Sequence, residues 1–240
     1  DGTVLARLVY DGADATLSNM KFSFPTTPAV LDIDFDGFAD LVYAGDVGGQ
    51  LWKWDISAVG TDGADADSYF DSWPAGIFFE SPPEDLGAGA FHYRSFFFPP
   101  TATLLDGKLV LAFGTGERTV LSYAGSAGQD ENNRFWVVTD ENPTGASAIP
   151  ATPFTEADLT DVTNSPTDTN PNDLGFYVVA EDGEKFISNH LAFGGLVITT
   201  SFSPDASTLE DECNALSGTS FLYVFDLEFG GGFFDAGDPS

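Results

Sequence analysis

The sequence predicts an all-β chain that forms part of a β-propeller, and two observations carry this prediction. The 240 residues include 26 glycines and 14 prolines, which interrupt the chain too often for long apolar stripes at helical spacing. A unit made of an apolar hairpin, a long loop and an aromatic strand also occurs three times. Repeated units of short strands are typical of propeller blades.

Short β-rich segments bounded by turn-forming residues are predicted to be strands. They cover residues 3–10, 39–44, 50–56, 109–113, 134–139, 176–179, 196–202 and 220–227. The first of these segments would complete a preceding blade, and residues 230–240 would lead toward a following one. Because propellers have about four to eight blades, we expect a partial propeller of about three to four blades of a larger ring.

Three aromatic strands that end in aspartate mark the repeat, and they close at Asp55, Asp140 and Asp226. An apolar hairpin precedes each of them, at residues 29–45, 103–114 and 191–201. The second and third hairpins have two-residue turns rich in glycine, Asp106-Gly107 and Gly194-Gly195. The sequence therefore predicts blade units at 11–57, 58–141 and 142–228, within one domain that covers residues 1–240.

Long loops between strands are expected, because ordinary blades have about 40–50 residues and these units are longer. Three segments rich in Gly, Ser, Thr, Asn, Pro or Asp are predicted to be surface insertions, at residues 62–71, 125–133 and 150–173.

Composition excludes several classes of function. The chain has 38 acidic and 8 basic side chains, a formal net charge of −30, so we expect no nucleic-acid partner and no binding to anionic membranes. No run of about 18 apolar residues exists, which predicts no membrane insertion. A single cysteine, Cys213, excludes an internal disulfide. The chain begins at Asp1 without a leader, which favours a processed or fragmentary piece of a longer protein.

The turn of the first hairpin is enlarged into an acidic loop that predicts a calcium site. Its sequence, DIDFDGFAD, spans residues 32–40 and places carboxylates at positions 1, 3, 5 and 9 of an EF-hand-like loop. Gly37 stands at position 6, where the backbone must turn sharply, and Ca²⁺ prefers six to eight oxygen ligands. The predicted ligands are Asp32, Asp34, Asp36, the Phe38 carbonyl and Asp40.

Two features of this loop leave an alternative open. Position 12 is Tyr43 rather than the bidentate Glu of a helical EF-hand, so an acidic turn without metal is the competing interpretation. Strands rather than helices flank the loop, which favours a structural or regulatory role over a catalytic one.

Residues 32–55, with the sequence DIDFDGFADLVYAGDVGGQLWKWD, resemble the calcium-loop blade of the PilY family, the type IV pilus biogenesis and tip-adhesin proteins. Further segments agree in order, at residues 94–100 (RSFFFPP), 111–118 (LAFGTGER), 133–136 (NRFW), 183–185 (GEK) and 213–226. The resemblance covers nearly the whole chain apart from the loop insertions.

This resemblance implies a C-terminal β-propeller at the cell surface, at the pilus tip or associated with the outer membrane. The expected partners are minor pilins and the pilus filament, and attachment to a host or abiotic surface is a further expectation. In the family, calcium in this loop is linked to the balance of pilus extension and retraction. By resemblance that role falls on Asp32, Asp34, Asp36, Phe38 and Asp40.

Two other classes of protein remain as alternatives. An integrin-like or FG-GAP propeller also uses such calcium loops, although only one of the three units carries one. A quinoprotein dehydrogenase closes its blades with similar aromatic strands, but an adjacent cysteine pair and a basic cofactor-binding cluster are missing from the sequence. We therefore expect no enzymatic activity.

The histidines and tryptophans are expected to be structural. His92 and His190 lie far apart in the sequence and have no metal-ligand motif, so packed or surface positions are predicted. Trp52, Trp54 and Trp136 are expected between blades. The aromatic run at residues 91–98 is expected in a blade interface rather than in an exposed patch.

Overall fold

The computed structural model describes residues 6–57, 73–121, 131–164, 174–205 and 217–228. In these residues the strands are β1 (Ala29–Leu31), β2 (Leu41–Gly45), β3 (Gln50–Asp55), β4 (Ala75–Glu80), β5 (Glu84–Gly87), β6 (Ala90–His92), β7 (Thr101–Leu105), β8 (Lys108–Gly114), β9 (Arg134–Asp140), β10 (Thr160–Asp161), β11 (Gly175–Val179), β12 (Leu191–Phe193), β13 (Leu196–Pro204) and β14 (Gly218–Asp226). The described helices are the 3-10 segments Leu17–Asn19 and Glu156–Asp158, and neither could span a bilayer.

Three sheets follow one another along the chain. The first sheet has the order β1-β2-β3-β4, the second β10-β11-β9-β8-β7 and the third β12-β13-β14. Neighbouring strands pair antiparallel in all three sheets, except that β10 runs parallel to β11. A separate two-stranded sheet, β5-β6, lies between the first and second sheets in the sequence.

The sheets stack face to face, and an apolar cluster fills each of the two spaces between them. The cluster between the first and second sheets includes Tyr43, Phe79 and Trp136, all of which are fully buried. Phe135 and Phe225 stack in the cluster between the second and third sheets, with ring centroids 5.5 Å apart. Burial of these large rings supplies much of the favourable free energy that holds the sheets together.

The first strands of the three sheets lie side by side, since β7 contacts both β1 and β12. Sheets that stack face to face with their first strands gathered together have the arrangement of blades around a propeller axis. The predicted turns are also present, because Asp106, Gly107, Gly194 and Gly195 all have positive φ angles, as a two-residue type I′ hairpin turn requires.

Several expectations about individual segments were wrong. Residues 6–10 of the predicted strand 3–10 are not in a strand, and residues 3–5 lie outside the described residues. The strand β4 was not predicted, whereas the hairpins predicted at 29–45, 103–114 and 191–201 are present as β1-β2, β7-β8 and β12-β13. The sheets also continue past the predicted ends of two units, since β4 pairs with β3 and β11 pairs with β9.

The structure describes parts of two of the three predicted insertions, and these parts pack against the sheets. Residues 62–71 lie outside the described residues, as do 122–130 and 165–173. The described residues of the other two segments pack against the sheets: Asn133 is buried and its amide donates to the Glu184 carbonyl, at 2.8 Å. Phe154 joins the outer edge of β4 through a bridge to Phe79. These parts are therefore not surface excursions.

Candidate metal centre

The acidic loop of residues 32–40 connects β1 and β2, the first two strands of the first sheet. The Asp40 amide donates to the Leu31 carbonyl at 2.7 Å, which closes the base of the loop next to the last strand pair. Within the loop, Phe35 has a φ angle of 62° and Gly37 one of 95°. Gly37 suits this conformation because it has no Cβ, whereas a left-handed Phe is uncommon and strained.

Three of the predicted ligands lie together. Asp32, Asp34 and Asp40 each offer a carboxylate oxygen, and these three oxygens lie within 4.8 Å of one another. Asp40 is buried, Asp32 is half-buried and Asp34 is exposed, so the group opens to solvent on one side. Carboxylates this close repel one another, and a bound cation would remove that repulsion.

Backbone amides hold two of these carboxylates in place. The Gly37 amide donates to Asp32 Oδ2 at 2.9 Å, and the Ile33 amide donates to Asp40 Oδ2 at 2.8 Å. The second oxygen of Asp32, Oδ1, is buried and has no hydrogen-bond partner. A buried carboxylate oxygen without a donor is unfavourable unless a cation or water binds it. The chemistry of the group therefore fits a hard cation.

The structure does not bring the fourth aspartate into this group. Asp36 Oδ1 accepts a hydrogen bond from the Phe38 amide at 2.8 Å, and its carboxylate is not among the three that converge. The side chains of Phe35 and Phe38 are 78% and 76% exposed, so both rings project from the tip of the loop. The predicted ligand role of the Phe38 carbonyl remains a prediction.

A second group of charged residues, which no sequence motif predicted, lies buried between the first and second sheets. Lys53 forms an ion pair with Asp140, and the Tyr43 hydroxyl donates to the same carboxylate at 2.5 Å. Lys53 also donates to the Asn142 carbonyl at 2.9 Å. Burial lowers the pKa of Lys53, while the nearby Asp140 carboxylate acts in the opposite direction. Burial and Asp140 together raise the pKa of Tyr43.

These contacts pair the buried polar groups of Lys53, Tyr43 and Asp140 with one another, so the group is part of the sheet interface rather than an open site. The closing aspartates Asp55 and Asp140 both lie in this interface, and Asp55 Oδ2 accepts from the Gly145 amide at 2.8 Å. In the sequence they served only to mark the repeat. A lysine inside an aromatic strand, in a chain with few lysines, was the available signal that a buried partner exists.

Another buried carboxylate, Asp46, organises the turn between β2 and β3. Its Oδ1 accepts from the amides of Gly48 and Gln50, and its Oδ2 accepts from the Trp52 indole at 3.0 Å. Burial raises its pKa to about 6, and these hydrogen bonds act against that shift. Because all three donors belong to the turn or to β3, the role of Asp46 is structural.

The histidine expectations agree with the structure, and the tryptophan expectation holds for Trp136. His190 is buried, its Nε2 accepts from the Gly114 amide at 3.2 Å and its Nδ1 lies 2.8 Å from Thr199 Oγ1. His92 lies 3.8 Å from a carboxylate oxygen of Glu131, and burial lowers its pKa. Trp136 is buried between the first and second sheets, whereas Trp52, which is buried, and Trp54, which is half-buried, lie on the opposite face of the first sheet beside Met20 and Phe24.

The aromatic run at residues 91–98 divides between core and surface. Phe96 is buried in the cluster between the first and second sheets, whereas Phe91 and Tyr93 are 48% and 37% exposed. The expectation of a blade interface therefore holds for only part of the run.

Comparison with known proteins finds similar chains, although no family model matches this one. The chain is 29% identical over 245 residues to a type IV pilus biogenesis factor PilY1 homolog of Xylella fastidiosa, over 92% of this chain and 15% of that protein. Its fold is similar to the crystal structure of the Pseudomonas aeruginosa PilY1 C-terminal domain, with a TM-score of 0.59 and 18% identity, over 85% of this chain and 47% of that chain.

These findings confirm the resemblance to the C-terminal domain of the PilY family and the all-β, propeller-like fold. The chain spans only 15% of the length of the curated relative, so the relative is much longer than the part compared.

Proposed function

We propose that this chain is a calcium-binding β-propeller segment of a type IV pilus biogenesis factor. The observation that carries the calcium part is the convergence of Asp32, Asp34 and Asp40, with a buried Asp32 oxygen that lacks a donor. The similarity to the PilY1 homolog, described as a type IV pilus biogenesis factor, supports the pilus part.

In this proposal Ca²⁺ binds Asp32, Asp34 and Asp40, and the Phe38 carbonyl, Asp36 and water complete its six to eight oxygens. The ion neutralises the converging carboxylates and holds β1 and β2 at a defined separation. Since the bidentate position-12 Glu is missing, we expect the weak affinity of extracellular calcium modules, a Kd of about 10⁻⁴ to 10⁻³ M.

The proposed place of action is outside the cell, at the pilus tip or at the outer membrane. There the segment would contact minor pilins and the filament, influence pilus extension and retraction, and contribute to attachment to a host or abiotic surface. We propose no enzymatic activity, because the shifted pKa values of Lys53, Tyr43 and His190 belong to groups paired within the sheet interfaces.

Calcium titration calorimetry tests the metal site directly. We expect one site in the wild type, and loss of that site in Asp32→Asn and in Asp34→Asn, which preserve side-chain size. Asp36→Asn should weaken binding less, because that carboxylate stands apart from the group. Asp85→Asn is the matched control. Asp85 is also exposed, and its Oδ1 accepts a hydrogen bond from the amide of Gly87, two residues later in the chain. A folded wild type that binds no calcium would contradict the proposal.

The pilus role needs a test in cells. The corresponding region of the Xylella fastidiosa homolog is replaced by this chain, either wild type or carrying Asp32→Asn and Asp34→Asn, in a strain that lacks its own copy. We expect surface pili with the wild-type chimera and altered pilus number or twitching with the variant. A wild-type chimera that is secreted and folded, yet yields no pili, would argue against the pilus role.

A further inference from the structure

The acidic loop of residues 32–40 reaches the second sheet through Ile33. This residue stands between Asp32 and Asp34 in the sequence, and its half-buried side chain packs against the apolar cluster between the first and second sheets. Ile33 also lines a cavity of about 380 Å³. One residue of the proposed metal loop therefore belongs to the interface between the two sheets, although its two neighbours in the sequence belong to the group of converging carboxylates.

Other walls of this cavity come from the second sheet. Leu104 on β7 pairs with Leu109 on β8, and both residues line the cavity. Asp140, at the end of β9, and Pro143 line it as well, and Asp140 also forms the buried ion pair that joins the two sheets. Because a cavity rather than close packing separates these walls, the side chain of Ile33 has room to change its position relative to the second sheet.

Asp40 joins the proposed metal site to the first sheet. Its carboxylate is one of the three that converge, and its Oδ2 accepts from the Ile33 amide at 2.8 Å. Its own amide donates to the Leu31 carbonyl at 2.7 Å, and its carbonyl accepts from the Ile56 amide at 2.7 Å. The next residue, Leu41, is fully buried in the cluster between the two sheets. A change in the distances between the carboxylates therefore moves Ile33 relative to Asp40, which the sheet holds in place.

The charges of the loop imply two positions for Ile33. Without a cation the three carboxylates, whose oxygens lie within 4.8 Å of one another, repel each other. Since Asp40 is fixed by the first sheet, the exposed Asp34 is the carboxylate that can move away, and it takes the adjacent Ile33 with it. Ca²⁺ instead draws the oxygens to about 2.3–2.6 Å from the ion, which holds the loop closed.

We infer that Ile33 couples calcium binding at the loop to the packing of the first sheet against the second. With calcium bound, the closed loop holds Ile33 against the side of the cavity formed by Leu104 and Leu109. Without calcium the loop opens, and this part of the interface loosens. The inference rests on the proposed calcium site and adds a regulatory effect to it, because calcium then sets the rigidity of the interface between the two sheets.

The coupling between the loop and the second sheet is reciprocal, because two events that favour the same conformation strengthen each other equally. Removing part of the second-sheet wall should therefore weaken calcium binding, although the wall residues Leu104 and Leu109 offer the ion no side-chain ligand. A calcium site that acted only on its own loop would not respond to such a change. The affinity for calcium thus reports on the packing of the second sheet.

Two neighbouring residues of β8 provide matched variants for calcium titration calorimetry. Leu109 is 3% exposed and lines the cavity, whereas Val110 is 5% exposed and packs in the cluster between the second and third sheets. We expect Leu109→Ala to weaken calcium binding about fivefold, the lower end of usual coupling, and Val110→Ala to leave the Kd unchanged. An unchanged Kd in a folded Leu109→Ala, or equal losses in both variants, would overturn the coupling.

Hydrogen exchange of the wild type gives a second measurement that needs no core variant. We expect calcium to slow exchange at residues 33–40 and also at residues 104–109 of the second sheet, whereas exchange in β13 does not change. In Ile33→Ala the effect on residues 104–109 should be lost and the effect on residues 33–40 kept. Slower exchange confined to residues 33–40 of the wild type would overturn the coupling and leave the calcium site in place. A wild type that binds no calcium would contradict the proposed site itself, and the coupling with it.

Discussion

At the scale of single residues, the ion pair between Lys53 and Asp140 shows how a strongly acidic chain uses one of its few lysines. Both side chains are almost fully buried, and Asp140 accepts from Tyr43 as well. Removing both charges from water is costly, and the direct contact and added hydrogen bonds offset this cost. Such a pair gives little net stability. Removing one partner is nevertheless costly, because the charge of the other partner then stays buried without a counter-ion.

Replacing Asp140 by alanine should therefore destabilise the protein strongly. We expect the free energy of unfolding to fall by about 3–5 kcal/mol, because Lys53 is left buried without its counter-ion. Urea unfolding followed by tryptophan fluorescence measures the change. Asp85→Ala, at an exposed position, should alter stability by less than about 0.5 kcal/mol. The double variant Lys53→Met, Asp140→Leu removes both charges. If it is no more stable than Asp140→Ala, the unpaired Lys53 charge is not the cause of the lost stability.

His190 should make stability depend on pH. Burial lowers its pKa to about 4, and its Nε2 must stay unprotonated to accept from Gly114. In the unfolded chain histidine titrates near its ordinary pKa of about 6.5, so the unfolded state binds the proton first as pH falls. The stabilisation is complete above about pH 6.5 and is lost between there and pH 4, by about 3 kcal/mol at most.

The measurement is urea unfolding at several pH values for the wild type and for His190→Gln. Carboxylates titrate in both proteins, so the difference between the two curves isolates the histidine. We expect the wild type to lose its advantage as pH falls from 6.5 to 4. Parallel curves over this range would mean that His190 does not contribute.

At the scale of elements, two glycines with positive φ angles show different requirements. Gly107 has a φ of 81° in the turn between β7 and β8, and open space surrounds the place where a Cβ would stand. Gly175 begins β11 with a φ of 135°, and a Cβ there would lie 2.0 Å from the Val137 carbonyl oxygen. Position 107 requires only a residue that tolerates a positive φ angle. Position 175 also requires a residue without a Cβ atom, because a Cβ would clash with the Val137 carbonyl oxygen.

Alanine at these two positions should separate the two requirements. Gly107→Ala should cost about 1 kcal/mol, the strain of a left-handed alanine. Gly175→Ala should cost at least about 3 kcal/mol, because β11 must also move away from β9. Urea unfolding of both variants gives the comparison. Equal costs would show that β11 can shift without loss.

Local signals in the sequence predicted the turns and the central strands well, because they depend on neighbouring residues. Asp106-Gly107 and the aromatic strand that ends at Asp140 are examples. Three aspartates of the acidic loop were also placed together by their spacing alone. The position of Asp36 depends on which backbone amide its carboxylate accepts from, and spacing does not determine that.

Long-range pairing was not predictable in the same way. The partner of Lys53 lies 87 residues away in the sequence, and the edge covered by Phe154 belongs to a sheet that ends at Glu80. One sequence without related sequences carries no signal for such contacts. Residues 150–164 are rich in polar and turn-forming residues, which predicted a surface loop, although their backbone pairs with two sheets.

At the scale of the whole molecule, the net charge of −30 opposes folding, because the compact state brings carboxylates closer together. Screening by salt should therefore stabilise the protein. We expect the Tm to rise by several degrees between about 10 mM and 500 mM NaCl, as the Debye length falls from about 30 Å to a few Å. Calorimetry in EDTA removes any contribution from bound calcium.

Partial protonation of the carboxylates near pH 4 provides a control for the expected rise of the Tm with salt. Near pH 4 many carboxylates lose their charge, since their ordinary pKa values are about 3.9–4.3. The gain in Tm from salt should be smaller there than at pH 7. An equal gain at both pH values would indicate that salt acts through apolar surface rather than through charge repulsion.

The attachment of Phe154 to the first sheet has a consequence for the order of events during synthesis. The strands β1 to β4 end at Glu80, but the Glu80 amide donates to the Phe154 carbonyl at 2.8 Å, and the Phe154 amide donates to Phe78 at 3.0 Å. The outer edge of β4 therefore stays open while the ribosome adds the residues between. At about 5–20 residues per second this takes on the order of 4–15 s. During that interval the outer edge of β4 offers unpaired backbone groups to which a strand of another chain can pair.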